Sequence, residues 1–335
     1  MLSKTIRDTD YLAVSARIRA METRLLTDER MEQLLSARTE EEVTRVLQDC
    51  GYPALSAMAP DEMDAALSAV RRETLEDLSG GVPDAGYLDV FKLQYDYHNV
   101  KAILKANAMG TDPASMLTEL GRVPAEELRE AVRTGDYGAL PPMLAAAVTE
   151  AKDVLDTTRD PQLCDVLLDR WSFREELAAA EDAGSEFLTG YVRTRIDSAN
   201  LRSLVRTLRM GKDADFLQGV LVEGGELSAD ALTAVASDRG RGLAELYAPT
   251  VLAKAAEAGA AALQGGPLTA FEKLCDEAVD GYLAGAQLIP FGEAPLVAYL
   301  AARDTEITNL RILLLGRRAG LAPEVIRSRL RRSAG

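Results

Sequence analysis

Two pairs of carboxylates stand one helical turn apart, Asp165 with Asp169 and Asp276 with Asp280. At that spacing both acids of a pair leave one helix face, where they could hold a divalent cation or share a proton. The plainer reading is a face whose acids meet solvent or arginine. Duplication of the pair favours that reading, because packing solutions are copied whenever a domain is copied, whereas active sites rarely are. Met210-Gly211-Lys212-Asp213 is the nearest approach to a phosphate-binding loop. It lacks both the upstream glycine and the hydroxyl that would meet magnesium, so a helix end is expected there. Cys50, Cys164 and Cys275 lie more than a hundred residues apart, with no metal-ligand spacing and no disulfide framework. No nucleophile has an identifiable base beside it. The residues therefore predict a non-catalytic chain that needs no cofactor or metal.

The elements that would carry these side chains read as helices. Tyr11, Val14, Ile18, Met21 and Leu25 recur at three- and four-residue steps and form one apolar stripe. Leu26-Thr27-Asp28-Glu29 then reads as a new helix start, with Thr27 as N-cap and acids in the first turn. Aromatics are only 5% of the 335 residues, and the apolar content is mostly alanine and leucine. Alternating β-branched runs between turn dipeptides are missing, so the expected class is all-α.

An internal repeat organises the helices. Three segments superpose on Asn99, Asn200 and Asn309. An acid precedes each by three residues (Asp96, Asp197, Glu306), and a base follows by two (Lys101, Arg202, Arg311). The positions one, four and five after each asparagine are apolar and should share a buried face. The glycines Gly110, Gly211 and Gly320, eleven residues on, suit a left-handed helix end. Acid and base, five apart, do not face each other squarely and are free to serve different neighbours. His98 lies inside the first copy, but Ala199 and Thr308 occupy its place in the others, so the repeat does not require imidazole.

Two further elements recur. Cys164-Asp165, Leu168-Asp169 and Trp171 match Cys275-Asp276, Val279-Asp280 and Tyr282. Helix starts follow the glycines at Val123-Pro124-Ala125-Glu126, Leu227-Ser228-Ala229-Asp230 and, as a truncated copy, Leu321-Ala322-Pro323-Glu324. Leu26-Thr27-Asp28-Glu29 looks like a fourth copy, as if the chain began partway through a unit. The expected organisation is three helical units, at 1–120, 121–225 and 226–335.

Charge narrows the partners. The net charge is −15, which excludes the broad basic surface that nucleic acid or anionic lipid would require. No uncharged run approaches the ~20 apolar residues of a spanning helix, and no signal peptide opens the chain. Residues 303–335 nonetheless hold eight arginines against three acids. Arg327, Arg329, Arg331 and Arg332 are therefore candidates for docking on an acidic partner, with a solvated tail as the simpler alternative.

Tyr11-x-x-x-Ser15-Ala16-Arg17-Ile18-Arg19-Ala20-Met21-Glu22-x-x-Leu25-Leu26 resembles the N-terminal signature of the C subunits of V-type/A-type ATPases. Asp96 to Lys105, Glu306 to Arg311 and Pro295 to Leu300 are similar to that family's repeated motif, and only 212–265 matches loosely. The resemblance, which extends to the eukaryotic d subunit, implies three similar helical domains in a pseudo-threefold funnel. It implies a non-catalytic central-stalk component that joins the D–F shaft to the membrane rotor ring of proteolipid subunits, in proton or sodium transport. The chain would then be cytoplasmic and peripheral to the membrane. The competing reading is a soluble helical-repeat adaptor unrelated to membranes.

Overall fold

The computed structural model describes residues 7–83 and 86–331. Their regular structure is helical throughout, without a strand among them, as the composition predicted. Four helices come first: α1 (Leu12–Glu22), α2 (Asp28–Ser36), α3 (Glu40–Asp49) and α4 (Pro60–Ser79). Next are α5 (Gly86–Met109), α6 (Ala125–Thr134), α7 (Pro142–Thr158), α8 (Pro161–Asp182) and α9 (Glu186–Arg209). Five more follow, α10 (Ala214–Val220), α11 (Ala229–Ser237), α12 (Leu243–Tyr247), α13 (Ala253–Leu263) and α14 (Leu268–Ala284). The last two are α15 (Ala294–Arg318) and α16 (Pro323–Arg329). Among the described residues, no helix is long and apolar enough to cross a membrane.

Local chemistry sets many of the boundaries. The Thr27 hydroxyl accepts from Arg30 N–H at the start of α2, as expected of an N-cap, and Ser228 does the same for Ala231 at the start of α11. The carboxylate of Asp213 caps α10 by accepting from Phe216 N–H, which accounts for the Gly-Lys-Asp sequence without any phosphate. The glycines that end the three motif helices adopt φ of +66° (Gly110), +66° (Gly211) and +71° (Gly320), the left-handed turn the repeat predicted.

The chain divides into two compact units. One is Gly86–Cys275, and the other combines the described residues of Met1–Ala85 and Asp276–Gly335. In the first, Val100, Ile103 and Leu104 of α5 lie in a core with Leu128 of α6, Leu144 of α7 and Leu168 of α8. Leu201, Leu204 and Val205 of α9 are fully buried. In the second unit Leu310, Leu313 and Leu314 of α15 pack with Leu34 and Leu35 of α2, Leu47 of α3 and Ile326 of α16. All nine repeated apolar positions are thus interior. Gly316 lets α16 lie close to α15, since a Cβ there would come within 2.9 Å of Ile326 Cγ1. Arg317 of α15 covers the open end of α2 by donating to the carbonyls of Leu34 and Ala37.

Candidate functional site

Each motif asparagine is a two-pronged clip on a backbone segment about 20 residues ahead. Asn99 Nδ2 donates to Thr118 O (2.8 Å), and Thr118 N–H donates back to Oδ1 (3.0 Å). Asn200 and Val222 repeat the pattern at 2.8 and 2.9 Å. Asn309 and Arg331 repeat it again, also at 2.8 and 2.9 Å. Only a primary amide on a short stem offers donor and acceptor side by side, which explains why asparagine recurs.

The acid one turn earlier grips the start of the next helix. Asp96 accepts from the N–H groups of Arg122 and Val123, just ahead of α6, and from Arg122 Nε at 2.8 Å. Asp197 accepts from Glu226 N–H (3.0 Å) and Leu227 N–H (3.3 Å), ahead of α11. Glu306 accepts from Leu26 N–H, ahead of α2, and from the hydroxyl of Tyr52 and a guanidinium N–H of Arg303. Asparagine and acid together form a clasp, and the fold contains it three times.

The third clasp corrects one alignment drawn from the sequence. Leu321-Ala322-Pro323-Glu324 is not the third copy of the helix start. It opens α16, which lies as far beyond Asn309 as α10 lies beyond Asn200. The partner of Glu306 is Leu26, so the fourth copy in the sequence, Leu26 to Glu29, does the work of the third.

All three acids are buried, Asp96 at 0%, Asp197 at 2% and Glu306 at 1% exposure. Burial raises Asp96 above the ordinary carboxylate range, opposed by the Arg122 guanidinium and its backbone donors. Asp197 is pushed up to about 6 by burial, against two backbone donors. Behind the first clasp, Arg122 also meets Glu175 at 2.9 Å, and Tyr97 donates its hydroxyl to the same carboxylate at 2.7 Å. Loss of solvent, with Glu175 next to it, keeps Tyr97 protonated.

The bases turn away from the acids of their own motif. Lys101 pairs with Asp169 of α8 at 2.5 Å, and Arg311 with Asp64 of α4 at 2.7 Å. Arg202 donates to Glu272 O of α14 at 3.1 Å. Acid and base do therefore serve different neighbours. Lys105 takes Asp165 at 2.5 Å, so the first carboxylate pair is a lysine-paired helix face. Asp280 differs: burial, with Asp276 nearby, raises it to about 7, and its Oδ2 is buried without a hydrogen-bond partner. Among the described residues, no cluster of three or more His, Cys, Asp or Glu is placed to hold a metal. His98 is exposed, with Nε2 3.0 Å from Met116 O, while Cys164 and Cys275 are buried.

Of the C-terminal arginines, Arg327 is held by Glu32 in a two-pronged ion pair of 2.6 and 2.7 Å. Arg329 and Arg331 expose their side chains, although the Arg331 backbone is clipped by Asn309. Arg332 lies outside the described residues. Sequence reasoning missed Arg122, Arg303, Tyr52 and the glycines Gly121 and Gly225. A Cβ on either glycine would fall 2.2 or 2.1 Å from the Oδ1 of Asp96 or Asp197. Gly121 and Gly225 stand at the same place before two of the helix starts, a signal present in the sequence.

The chain has relatives among known proteins over most of its length. It is 24% identical to the C subunit of the V-type sodium ATPase of Enterococcus hirae, covering 96% of this chain and 98% of that one. It is 27% identical to the C subunit of the A-type ATP synthase of Methanocaldococcus jannaschii, covering 96% and 86%. With the A-type counterpart from Thermococcus kodakarensis the identity is 25%, over 95% and 90%. The family profile described as ATP synthase (C/AC39) subunit matches residues 14–329, a span that contains all three motif helices, and the chain belongs to that family.

Proposed function

We propose that the chain is a non-catalytic central-stalk component of a rotary V/A-type ATPase or ATP synthase. It joins a D–F shaft to a membrane rotor ring at the cytoplasmic face of the membrane and so takes part in proton or sodium transport. The supporting observation is the thrice-built clasp inside a chain whose relatives are named as C subunits of such machines. The clasps commit their asparagines and acids to backbone groups and buried partners. Such side chains hold a shape against load.

Each of the three sequence units carries one motif helix: α5 in 1–120, α9 in 121–225 and α15 in 226–335. A funnel of three such wedges is the arrangement that suits a socket for a rotating shaft. Arg329, Arg331 and Arg332 form the basic end that meets an acidic partner surface, and the paired bases Lys101, Arg202 and Arg311 are secondary contact candidates.

The test is to mix the purified chain with its cognate D–F shaft and, separately, with the detergent-solubilised ring, and to assay ATP hydrolysis by the chain alone. Co-elution with the shaft or ring and no hydrolysis is expected. Intrinsic hydrolysis overturns the reading, as does failure to bind both partners.

A further inference from the structure

The three clasps differ in one respect that their common backbone geometry makes plain. In the first, the residue between Gly121 and Val123 is Arg122, whose guanidinium meets Asp96. In the third, Arg303 reaches Glu306 from the preceding turn of α15. In the middle clasp the place of Arg122 is taken by Glu226, between Gly225 and Leu227. Among the described residues no cation pairs with Asp197, which has only the two N–H groups of Glu226 and Leu227. Gly225 lies against its Oδ1 and leaves no room for a water-sized group on that side.

Among the described residues, the surrounding elements supply no counter-ion to Asp197 either. Tyr247 of α12 donates to the Asp197 carbonyl at 3.3 Å, and burial keeps that phenol protonated, with the Asp197 carboxylate adding to the effect. Arg195, earlier on α9, pairs with buried Glu176 of α8, and Arg202 donates to Glu272 O of α14. Asp215 of α10, Asp230 of α11, and Lys254 and Glu257 of α13 are not buried.

We propose that Asp197 is a proton-binding site that sets how firmly the middle clasp holds the 222–227 segment and the start of α11. A buried carboxylate beside a second acid is costly when charged, and binding a proton removes that charge without changing the packing. Burial together with Glu226 outweighs the two N–H bonds and places Asp197 near 6. Because this lies above the value of a solvated aspartate, protonation favours the closed clasp. The contribution is complete below about pH 4 and is lost as pH rises through about 6. The clasp therefore opens more readily at neutral pH than in mild acid.

Hydrogen exchange on the full chain tests this. The protection of the 222–231 amides, corrected for intrinsic exchange, should fall by about 25-fold between pH 4.5 and pH 7.5. Glu226→Arg installs the guanidinium of the first clasp. It should raise protection at pH 7.5 and cut the fall to less than about fivefold, because exchanging a like charge for an opposite one lowers a carboxyl by about 1–3 pH units. Asp197→Asn should abolish the fall; should that variant not fold, the Glu226→Arg profile decides. Wild-type protection that is flat or rises with pH overturns the proposal, as does a Glu226→Arg profile as steep as wild type.

Discussion

The backbone N–H of Leu26 donates to the carboxylate of Glu306, 280 positions further along the chain. The same bond runs from Val123 to Asp96 and from Leu227 to Asp197 over 27 and 30 positions. The third clasp is therefore closed by a segment that precedes all three motifs. Replacing Glu306 by alanine would strand the Arg303 side chain, only 12% exposed, together with the Tyr52 hydroxyl and Leu26 N–H. The expected cost is about 3–5 kcal/mol, as for other buried pairs that lose one member. Urea unfolding measures it, and limited proteolysis should show new cleavage around α2 and α3. A loss below about 1 kcal/mol would mean the clasp is not needed to hold those helices.

The asparagines and the bases should separate in a mutational comparison. Asn200→Ala orphans the N–H and C=O of Val222, which is 8% exposed, and should cost about 2–4 kcal/mol. Lys101→Ala breaks an ion pair whose acid is 57% exposed, and should cost no more than about 1 kcal/mol. Thermal or chemical denaturation of both variants gives the contrast. Equal losses would contradict the assignment of the asparagine as the holding element.

Gly225 is set by space and not by backbone conformation. A methyl group there would fall 2.1 Å from Asp197 Oδ1 and 3.3 Å from Ile196 Cγ2. Gly225→Ala should therefore destabilise by about 1–3 kcal/mol, while Gly219→Ala, where nothing lies within 4 Å, should not destabilise at all. Melting temperatures of the two variants provide the check.

Asp280 supplies a pH prediction at a second place. Its carboxyl is raised to about 7 by burial, with Asp276 and Glu277 adding to the rise and Arg331 opposing it. A folded-state value above the unfolded one favours the folded protein while the proton is bound. That contribution is complete below about pH 4 and disappears as pH rises through about 7. Asp280→Asn should consequently raise the melting temperature at pH 8 relative to wild type, with little effect at pH 4. A lowered melting temperature at pH 8 would point instead to a stabilising charge.

Much of the framework was legible because it is local. The apolar positions one, four and five after each asparagine follow helical periodicity, and the glycines at position eleven follow from helix-end stereochemistry. What the asparagines and acids hold was not legible. Their partners lie in irregular segments such as Thr118 and Val222, where no period marks the place. The choice between Leu26 and Leu321 as partner of Glu306 was equally closed to local reading, since both precede good helix starts. Tyr52 has no recurring counterpart to draw attention to it, and Arg122 stood hidden because the repeat places Glu226 and Leu25 at its position.

Transport by the assembled machine bears most directly on the central claim. A rotary complex reconstituted without this chain should hydrolyse ATP with little ion transport into vesicles, and adding the wild-type chain should restore transport without raising the chemical rate in proportion. Transport of equal efficiency with and without the chain would contradict the account.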